Sequence, residues 1–258
     1  MAEEWRLLKT WAGDAYWNMA VDEAVLKARA QGKSPCTLRL YTWSPSAVSI
    51  GFFQSLHHEV DLEECRRLGV DVVRRITGGG AVYHDSRGEV TYSVVLLEED
   101  LRRLGFSTSI QHSYEVLCRG IVEGLRLLGV GAEFKPINDI VVSGRKISGS
   151  AQTRRAGAIL QHGTLLLKSD IGTMFRVLKV SKEKLSDKAI KAAEERVTNV
   201  FKELGREVAL NEVVEALVKG FERALGIKLV EGELSPLEVG LAEELKLKYA
   251  SKEWLELR

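Results

Sequence analysis

Three consecutive glycines, Gly78, Gly79 and Gly80, stand between two arginines and a histidine in the segment RRITGGGAVYHD. Glycine tolerates positive φ angles, so a run of three lets the backbone approach a ligand more closely than side chains would permit. Backbone amides exposed in this way can face an anion such as a phosphate. The spacing matches neither a Walker A loop nor a Rossmann turn, and a tight turn without a ligand stays open as an alternative.

Arg74 and Arg75 lie two residues before this glycine run, at the end of a predicted strand, VDVVRRI. A guanidinium group pairs well with phosphate or carboxylate oxygens. Successive residues of a strand point to opposite faces, so one of the two arginines is expected to face a ligand beside the glycines.

A second candidate segment is NDIVVSGRKISGSAQTRR, which contains Lys146. In β geometry Lys146 and Ser148 are expected to share a face, next to Gly149. Asn138 and Asp139 open the preceding strand, where their oxygens would suit a metal-bound phosphate. A surface lysine and a simple Asn-Asp turn are the alternatives.

Candidate nucleophiles are few. The sequence shows no G-x-S-x-G pattern and no recognisable Ser-His-Asp arrangement. Cys36, Cys65 and Cys118 are widely spaced, which predicts free thiols, and Cys65 and Cys118 fall in helical patterns as packing residues. His162, in LQHGTLLL, is either a site residue or a structural histidine.

The elements that must position these residues alternate between helical and extended patterns. AYWNMAVDEAVLKARAQGK predicts an amphipathic helix that ends at Gly32, and TSIQHSYEVLCRGIVEGLRLLG predicts a second, ending at Gly129. CTLRLYTWS, AVSIGFFQ, EVTYSVVLL and the segment around Lys146 predict strands. The expected fold is α/β of the α+β type, a mixed, largely antiparallel sheet with packed helices.

The composition changes from about residue 181. SKEKLSDKAIKAAEERVTN is charged without a full apolar face and is expected to be a mobile or capping segment. Two periodic helices follow, and the last is expected to lay Trp254 back onto the body. Residues 1–258 are therefore expected to form a single domain with a C-terminal helical portion.

Composition excludes several classes of protein. The chain has 258 residues, 45% of them hydrophobic and 28% charged, with a net charge of +1. Such a balance gives no bulk electrostatic reason to bind nucleic acid or a membrane. The N-terminus is acidic and polar, and no stretch reaches the roughly 18 apolar residues of a membrane span, so a cytoplasmic protein is expected.

Taken together, several long segments resemble the lipoate-protein ligase family, within the group that also contains biotin-protein ligases and octanoyl transferases. The segments that carry this resemblance are NMAVDEAVL, SIGFFQ, RRITGGGAVYHD, GEVTYSVV, PINDIVVSGRKISGSAQTRR, ILQHGTLLL and YASKEW. The resemblance implies a biotin/lipoate ligase-like catalytic domain.

The resemblance also implies a reaction. Such enzymes join lipoic acid to ATP with Mg²⁺, release pyrophosphate, and pass the lipoyl group from lipoyl-adenylate to a lysine of a lipoyl domain. The acceptor would be the E2 subunit of a 2-oxoacid dehydrogenase or the glycine cleavage H protein. Longer ligases carry a further C-terminal domain, so a separate small accessory subunit is also expected.

Residue roles follow from the resemblance alone. The position of Lys146 contacts the acyl carboxylate and the α-phosphate, where an ammonium group stabilises developing negative charge. The expected acyl-adenylate site contains Arg75, Gly78, Gly79, Gly80, His84, Ser148, Gly149 and His162. Asn138 and Asp139 are expected on the nucleotide side, with Asp139 as a metal ligand through Mg-ATP.

Two other functions stay open. An octanoyl transferase would move octanoate from acyl carrier protein to the lipoyl domain, and one branch of that group uses a cysteine placed shortly before the GRK segment, where this chain has none. A non-catalytic effector-binding protein would need a DNA-reading module and a basic face, and neither is evident.

Overall fold

A computed structural model of the chain describes residues 2–179 and 195–258. The charged segment predicted at 181–199 therefore lies outside the described residues except for its last five.

The strands form two sheets. The larger sheet has the order β11-β1-β2-β6-β10-β9-β8-β7, and the smaller one has the order β4-β3-β5. The strands are β1 (Glu3–Gly13), β2 (Thr37–Trp43), β3 (Ala47–Ile50), β4 (Asp71–Arg74), β5 (Val82–His84), β6 (Glu89–Leu97), β7 (Glu133–Lys135), β8 (Asp139–Val142), β9 (Arg145–Arg155), β10 (Ala158–Leu166) and β11 (Ile227–Glu231).

The larger sheet is parallel only at one edge. Strand β1 pairs in parallel with both β2 and β11. Every other pairing in that sheet is antiparallel. The expected fold class, a mixed and largely antiparallel sheet with packed helices, is confirmed.

Helices cover both faces of the larger sheet. They are α1 (Ala15–Ala30), α2 (Leu56–Glu59), α3 (Leu62–Leu68), α4 (Glu98–Arg103), α5 (Ile110–Leu127), α6 (Ile171–Val177), α7 (Val200–Leu204), α8 (Leu210–Leu225), α9 (Pro236–Ala250) and α10 (Lys252–Leu255). Helices α5 and α8 pack on one face, and α1 and α9 pack on the other. Because both faces are covered, the central strand β6 is buried along nearly its whole length.

The helix boundaries follow from local chemistry. Helix α1 begins after Asp14, whose side chain accepts a hydrogen bond from the Trp17 amide. Helix α9 begins with a capping box formed by Ser235 and Glu238. Glu238 also pairs with Arg6 of β1 at 2.5 Å, so the same carboxylate caps the start of helix α9 and links that helix to the sheet.

The C-terminus packs back onto the body, as the sequence predicted for Trp254. Its indole Nε1 donates to the carbonyl oxygen of Arg74 at 2.8 Å. In return the Arg74 guanidinium donates to the carbonyl oxygens of Trp254 and Leu255. Arg74 is therefore used for structure, and it lies on the opposite side of β4 from the cavity described below.

Within the described ranges, no helix is long and apolar enough to cross a membrane.

We expect Gly220→Ala to lower the free energy of unfolding by about 1 to 3 kcal/mol, because an added methyl group would overpack the α5–α8 contact. A Cβ atom at Gly220 would lie 2.4 Å from the Gly120 carbonyl oxygen and 2.4 Å from the Gly124 nitrogen. Gly240, in helix α9, has no atom within 4 Å of the same Cβ position. Gly240→Ala is the matched control and should raise stability by about 0.5 to 1 kcal/mol in denaturant unfolding. Equal effects of the two substitutions would contradict the packing argument.

Candidate active site

A cavity of about 320 Å³ opens between the larger sheet, the smaller sheet and helix α1. Its apolar wall comes mainly from Met19, Tyr41, Trp43, Val82, Leu166, Met174 and Val197. The candidate residues that border it are Arg75, Gly79, Gly80, His84, Asn138, Lys146, Ser148, Gly149 and His162. Gly78 and Asp139 do not border it, and each contacts a residue that does.

The glycine turn packs tightly against the segment after β3. Gly79 has φ of 93°, and a Cβ atom at Gly51 would lie only 2.0 Å from the Gly79 carbonyl oxygen. Both positions therefore require glycine. The amides of Gly79, Gly80 and Ala81 donate no hydrogen bond to any residue that the structure describes. They are therefore available to an anionic group, as the sequence predicted for this turn.

The buried side chain of Arg75 fixes the glycine turn by hydrogen bonds to its backbone. Its Nη2 donates to the carbonyl oxygens of Gly78 and Gly80 at 2.8 and 2.7 Å. Its other N–H groups donate to the Ser49 carbonyl oxygen and to the hydroxyl oxygens of Ser49 and Thr77. The side chain is buried, and burial lowers the pKa of Arg75 to about 10. Of the two arginines, Arg75 is thus the one at the cavity.

A row of residues across three strands explains where His162 lies. The register places Arg39 of β2 opposite Ser93 of β6, and Ser93 opposite His162 of β10. Residues directly opposite each other in a sheet share a face. Asp22 of helix α1 packs on this face and meets all three, at 2.7 Å from Arg39 Nη1, 2.8 Å from Ser93 Oγ and 3.0 Å from His162 Nδ1.

This buried network fixes the orientation of His162. The other ring nitrogen, Nε2, lies 2.8 Å from the Thr77 hydroxyl oxygen. Burial would raise the pKa of Asp22, but Arg39 and His162 outweigh it and the pKa is lowered. Burial lowers the pKa of His162, with a further contribution from the charge of Arg75. A neutral imidazole that donates from Nδ1 to Asp22 fits these contacts.

His84 makes the same type of chain with different residues. Its Nδ1 lies 2.8 Å from Glu89 Oε1, and its Nε2 lies 2.8 Å from Ser49 Oγ. The ring stacks on Trp43 with 3.9 Å between the ring centroids. Both hydroxyl groups, those of Ser49 and Thr77, accept hydrogen bonds from Arg75, so each can donate its own hydrogen to a histidine.

The sequence shows no local Ser-His-Asp pattern, but the folded chain brings together hydroxyl, histidine and carboxylate groups from distant positions. The structure contains two such chains, Ser49–His84–Glu89 and Thr77–His162–Asp22. Their members are up to 140 residues apart along the chain, so no local spacing could reveal them. The polar Asp22 within an apolar helical pattern was the one available signal.

Lys146 reaches the cavity because of a bulge in β9. Strand β8 pairs Ile140 with Ser148 but Val141 with Lys146, so one extra residue lies in β9 between them. Lys146 and Gly149 consequently lie on the cavity face, where Lys146 Nζ is 2.7 Å from Asp139 Oδ1. A Cβ atom at Gly149 would lie 2.6 Å from that ammonium group.

The bulge also corrects the expectation that Lys146 and Ser148 share a face. Ser148 is opposite Ile140 and Leu165, two residues of the core behind the sheet, so its side chain lies on that side. The alternation of a regular strand is interrupted at this point, which is why the prediction was wrong. Ser148 still borders the cavity, and its buried hydroxyl group has no hydrogen-bond partner among the described residues.

The backbone around Lys146 is fixed from two directions. Its amide donates to the Arg196 carbonyl oxygen, and its carbonyl oxygen accepts from the Thr198 amide. At the start of β8, the side-chain amide of Asn138 donates to the Ser150 carbonyl oxygen at 2.5 Å. Asn138 therefore holds β8 against β9 at the edge of the cavity.

The three cysteines of the chain all lie in the described part, and none borders the cavity. Burial raises the pKa of Cys36, and it raises the pKa values of Cys65 and Cys118 to about 11. The prediction of buried free thiols for Cys65 and Cys118 is confirmed. A thiolate nucleophile from this chain is thus absent from the cavity wall.

Among residues 2–179 and 195–258, one cluster of side chains is close enough to share a metal ion. It consists of Glu3, Cys36 and Asp100, which do not border the cavity. Arg29 and Arg103 already pair with Asp100, so the cluster is an ion-pair network.

We expect Asp22→Asn to lower the free energy of unfolding at neutral pH by about 3 to 5 kcal/mol, because it leaves the Arg39 charge buried without a counter-charge. The pKa of Asp22 is lowered in the folded protein. This contribution is therefore present above the unfolded pKa of the carboxyl group and is lost as the pH falls toward the folded value. In denaturant unfolding, the difference in free energy of unfolding between wild type and Asp22→Asn should become smaller at acid pH. Glu207→Gln, which removes an exposed pair with Lys168, is the control and should leave the free energy of unfolding nearly unchanged, because solvent screens exposed ion pairs. A difference in free energy of unfolding that stays constant with pH would contradict the role of the Asp22 charge.

Comparison with known proteins places this geometry in a family. Residues 14–222 match the model of the lipoyl protein ligase A/B catalytic domain. Two curated relatives are the octanoyltransferases LipM of Kyrpidia tusciae and Moorella thermoacetica. The first is 42% identical over 98% of each chain, and the second is 39% identical over 100% of this chain and 99% of the relative.

Three solved structures with a similar fold are described as lipoate protein ligases. A bi-partite lipoate protein ligase from Thermoplasma acidophilum, studied with its E2 lipoyl domain, is 35% identical with a TM-score of 0.88 over 99% of this chain and 98% of that one. A lipoate-protein ligase A bound with ATP is 32% identical with a TM-score of 0.81 over 98% of both chains. A putative lipoate protein ligase from T. acidophilum with bound lipoic acid is 32% identical with a TM-score of 0.80, over 98% of this chain and 99% of that one.

The extent of these matches agrees with the resemblance found in the sequence. The chain belongs to the lipoyl protein ligase A/B catalytic domain family, the enzyme family that includes lipoate-protein ligases and octanoyltransferases.

Proposed function

We propose that this chain is a lipoate-protein ligase, which joins lipoate to ATP and transfers the lipoyl group from the adenylate to a lysine of a lipoyl domain. The observation that carries this proposal is a cavity with a lysine and a buried arginine but no thiol. Without a thiol the chain has no cysteine on which to store an acyl group, so the acid must be activated by another group. Adenylation supplies such activation.

The charges around the cavity suit an acyl-adenylate. Lys146 lies at the edge, Arg75 lies beneath the glycine turn, and the free amides of the turn lie between two β-strands. A positive charge in apolar surroundings interacts with a developing negative charge much more strongly than it would in water. The apolar wall, with Met19 and Met174, would hold the acyl chain.

The donor set at the edge of the cavity fits Mg²⁺ delivered with ATP. Asp139 and Asn138 offer oxygen ligands, and Mg²⁺ in nucleotide sites is usually held by one or two carboxylates together with phosphate oxygens. When bound, the ion would offset phosphate charge. The Asp139 carboxylate that would hold it is the partner of Lys146, at 2.7 Å.

The second candidate is an octanoyl transferase, and the names of the curated relatives at 42% and 39% identity favour it. In this chain the acyl group would have to pass directly from a carrier thioester to the acceptor lysine, because no cysteine borders the cavity. The same positive charges would stabilise the tetrahedral intermediate.

For the partners, we propose the lipoyl domain of an E2 subunit or of the H protein as acceptor. The T. acidophilum relative is described as bi-partite, which supports the expectation of a small accessory polypeptide. We further propose that the C-terminal helices belong to one catalytic domain, since α8 packs on α5 and α9 packs on α1.

The acyl donor decides between the two candidates. We expect acyl attachment to a lipoyl domain to require ATP and Mg²⁺, with release of pyrophosphate from lipoate or octanoate. The variant with Cys36, Cys65 and Cys118 all replaced by alanine should keep this activity, apart from any loss of stability. Each assay is run with and without cell extract, in case an accessory polypeptide is required. Transfer from octanoyl-carrier protein without ATP would instead establish the transferase.

Lys146→Ala should lower adenylate formation by about 100-fold or more, the usual loss when one preorganised charge is removed from an active site. The side chain is 45% exposed and does not contribute to the core, so the variant should fold normally. Lys135→Ala, on the neighbouring strand β7, is the matched control and should be nearly as active as wild type. Pyrophosphate release near the wild-type rate in folded Lys146→Ala would contradict the role assigned to this lysine.

A further inference from the structure

Amide formation needs a group that removes a proton from the acceptor lysine. An amine at neutral pH is largely protonated and cannot attack until it loses a proton. Lys146 is a poor candidate for this base, because its Nζ already contacts the Asp139 carboxylate at 2.7 Å. The remaining titratable groups with a proton-accepting atom at the cavity include the two histidines, His84 and His162.

The two histidine chains differ in the charge behind the imidazole. Asp22, behind His162, is already paired with Arg39 and also accepts from Tyr41 and Ser93. Its negative charge is therefore compensated before His162 takes up a proton. Burial and the nearby Arg75 both lower the pKa of His162, so this ring stays neutral.

Glu89, behind His84, has no such compensation. Its only ion pair within the described residues is the one with His84, and its other hydrogen bond is accepted from the Thr91 hydroxyl group. The residue is 2% exposed, and its Oε2 has no hydrogen-bond partner there. A buried carboxylate without a cation gains strongly when a proton is placed on its neighbour.

We propose that His84, reached through the Ser49 hydroxyl group, is the base that takes the proton from the acceptor lysine, and that Glu89 is a positioning residue for it. The inference rests on the proposed function only through amide formation, the step that both candidate reactions share. The stack on Trp43 supports it, because an imidazolium over the face of an indole ring gains a cation–π interaction.

The step balances as follows. The acceptor ammonium gives one proton to Ser49 Oγ while the Ser49 hydroxyl gives its own hydrogen to His84 Nε2. The ring becomes an imidazolium that donates from Nδ1 to Glu89. The free amine then forms the N–C bond with the acyl carbon, and the bond to the leaving group breaks. The second amine proton leaves with the phosphate oxygen or the thiolate sulfur.

The test uses the full chain with preformed octanoyl-adenylate and, in parallel, the octanoyl thioester of acyl carrier protein. Two acceptors are compared, a lipoyl domain and hydroxylamine, which is largely uncharged at neutral pH and need not lose a proton before it attacks. Glu89→Gln keeps an acceptor for His84 Nδ1 but removes the charge. We expect it to lower transfer to the lipoyl domain by about 10- to 100-fold, and transfer to hydroxylamine by less than about twofold.

A second variant protects the test against misfolding. Ser49→Ala removes the hydroxyl group that would carry the proton to His84, but it keeps the Glu89–His84 contact and the hydrogen bond from Arg75 to the carbonyl oxygen of residue 49. This variant should also lose transfer to the lipoyl domain and keep transfer to hydroxylamine. Glu115→Gln, exposed on helix α5, is the control and should transfer to both acceptors at the wild-type rate. Thermal unfolding checks that each variant is folded.

Equal loss with both acceptors, or no loss with either, would overturn this inference and leave the proposed function standing. A wild-type chain that transfers the octanoyl group to neither acceptor from either donor would overturn the proposed function and this inference together.

Discussion

The buried guanidinium of Arg75 makes all its hydrogen bonds to uncharged oxygen atoms, and much of the site is arranged to allow this. A buried cation would normally pair with a carboxylate, which would cancel its field at the cavity. Here carbonyl and hydroxyl oxygens satisfy its N–H groups instead. The two nearby carboxylates, Asp22 and Glu89, are each separated from it by a histidine and a hydroxyl group. The positive charge therefore stays available to an anionic ligand.

The same constraint explains why the two histidine chains look alike and yet differ in chemistry. Each hydroxyl group accepts a hydrogen bond from Arg75 and therefore donates its own hydrogen to its histidine. The Nε2 lone pair of each imidazole consequently accepts from that hydroxyl group. Only the charge at the far end distinguishes them, because Arg39 compensates Asp22 while no described cation compensates Glu89. One chain is thereby suited to rigid positioning and the other to accepting a proton.

The sequence predicted those parts of the molecule in which the signal is local. Helix α1 ends next to Gly32, the glycine turn follows β4, and Lys146 lies on a strand at the cavity, because periodicity and glycine chemistry act over a few residues. Strands β1 and β11 escaped prediction, since β1 depends on parallel partners far away in the chain. The bulge beside Lys146 and the hydroxyl partners of His84 and His162 depend on register and tertiary packing, which no single-sequence pattern encodes.

The absence of a thiol from the cavity wall leaves this chain no cysteine there on which to store an acyl group. Cys118 lies behind the sheet, where it contacts Ser150 and Tyr92, and burial raises its pKa to about 11. Under the proposed functions the chain contributes charge, orientation and a proton acceptor, and it either forms the adenylate from ATP or receives the acyl group as a thioester. In both proposed reactions the developing oxyanion would lie in the field of Arg75 and Lys146, and both reactions would end in the same amide. The two donors would differ in their leaving groups, which we propose to lie toward Asn138 and Asp139, so the same central groups would suit either donor.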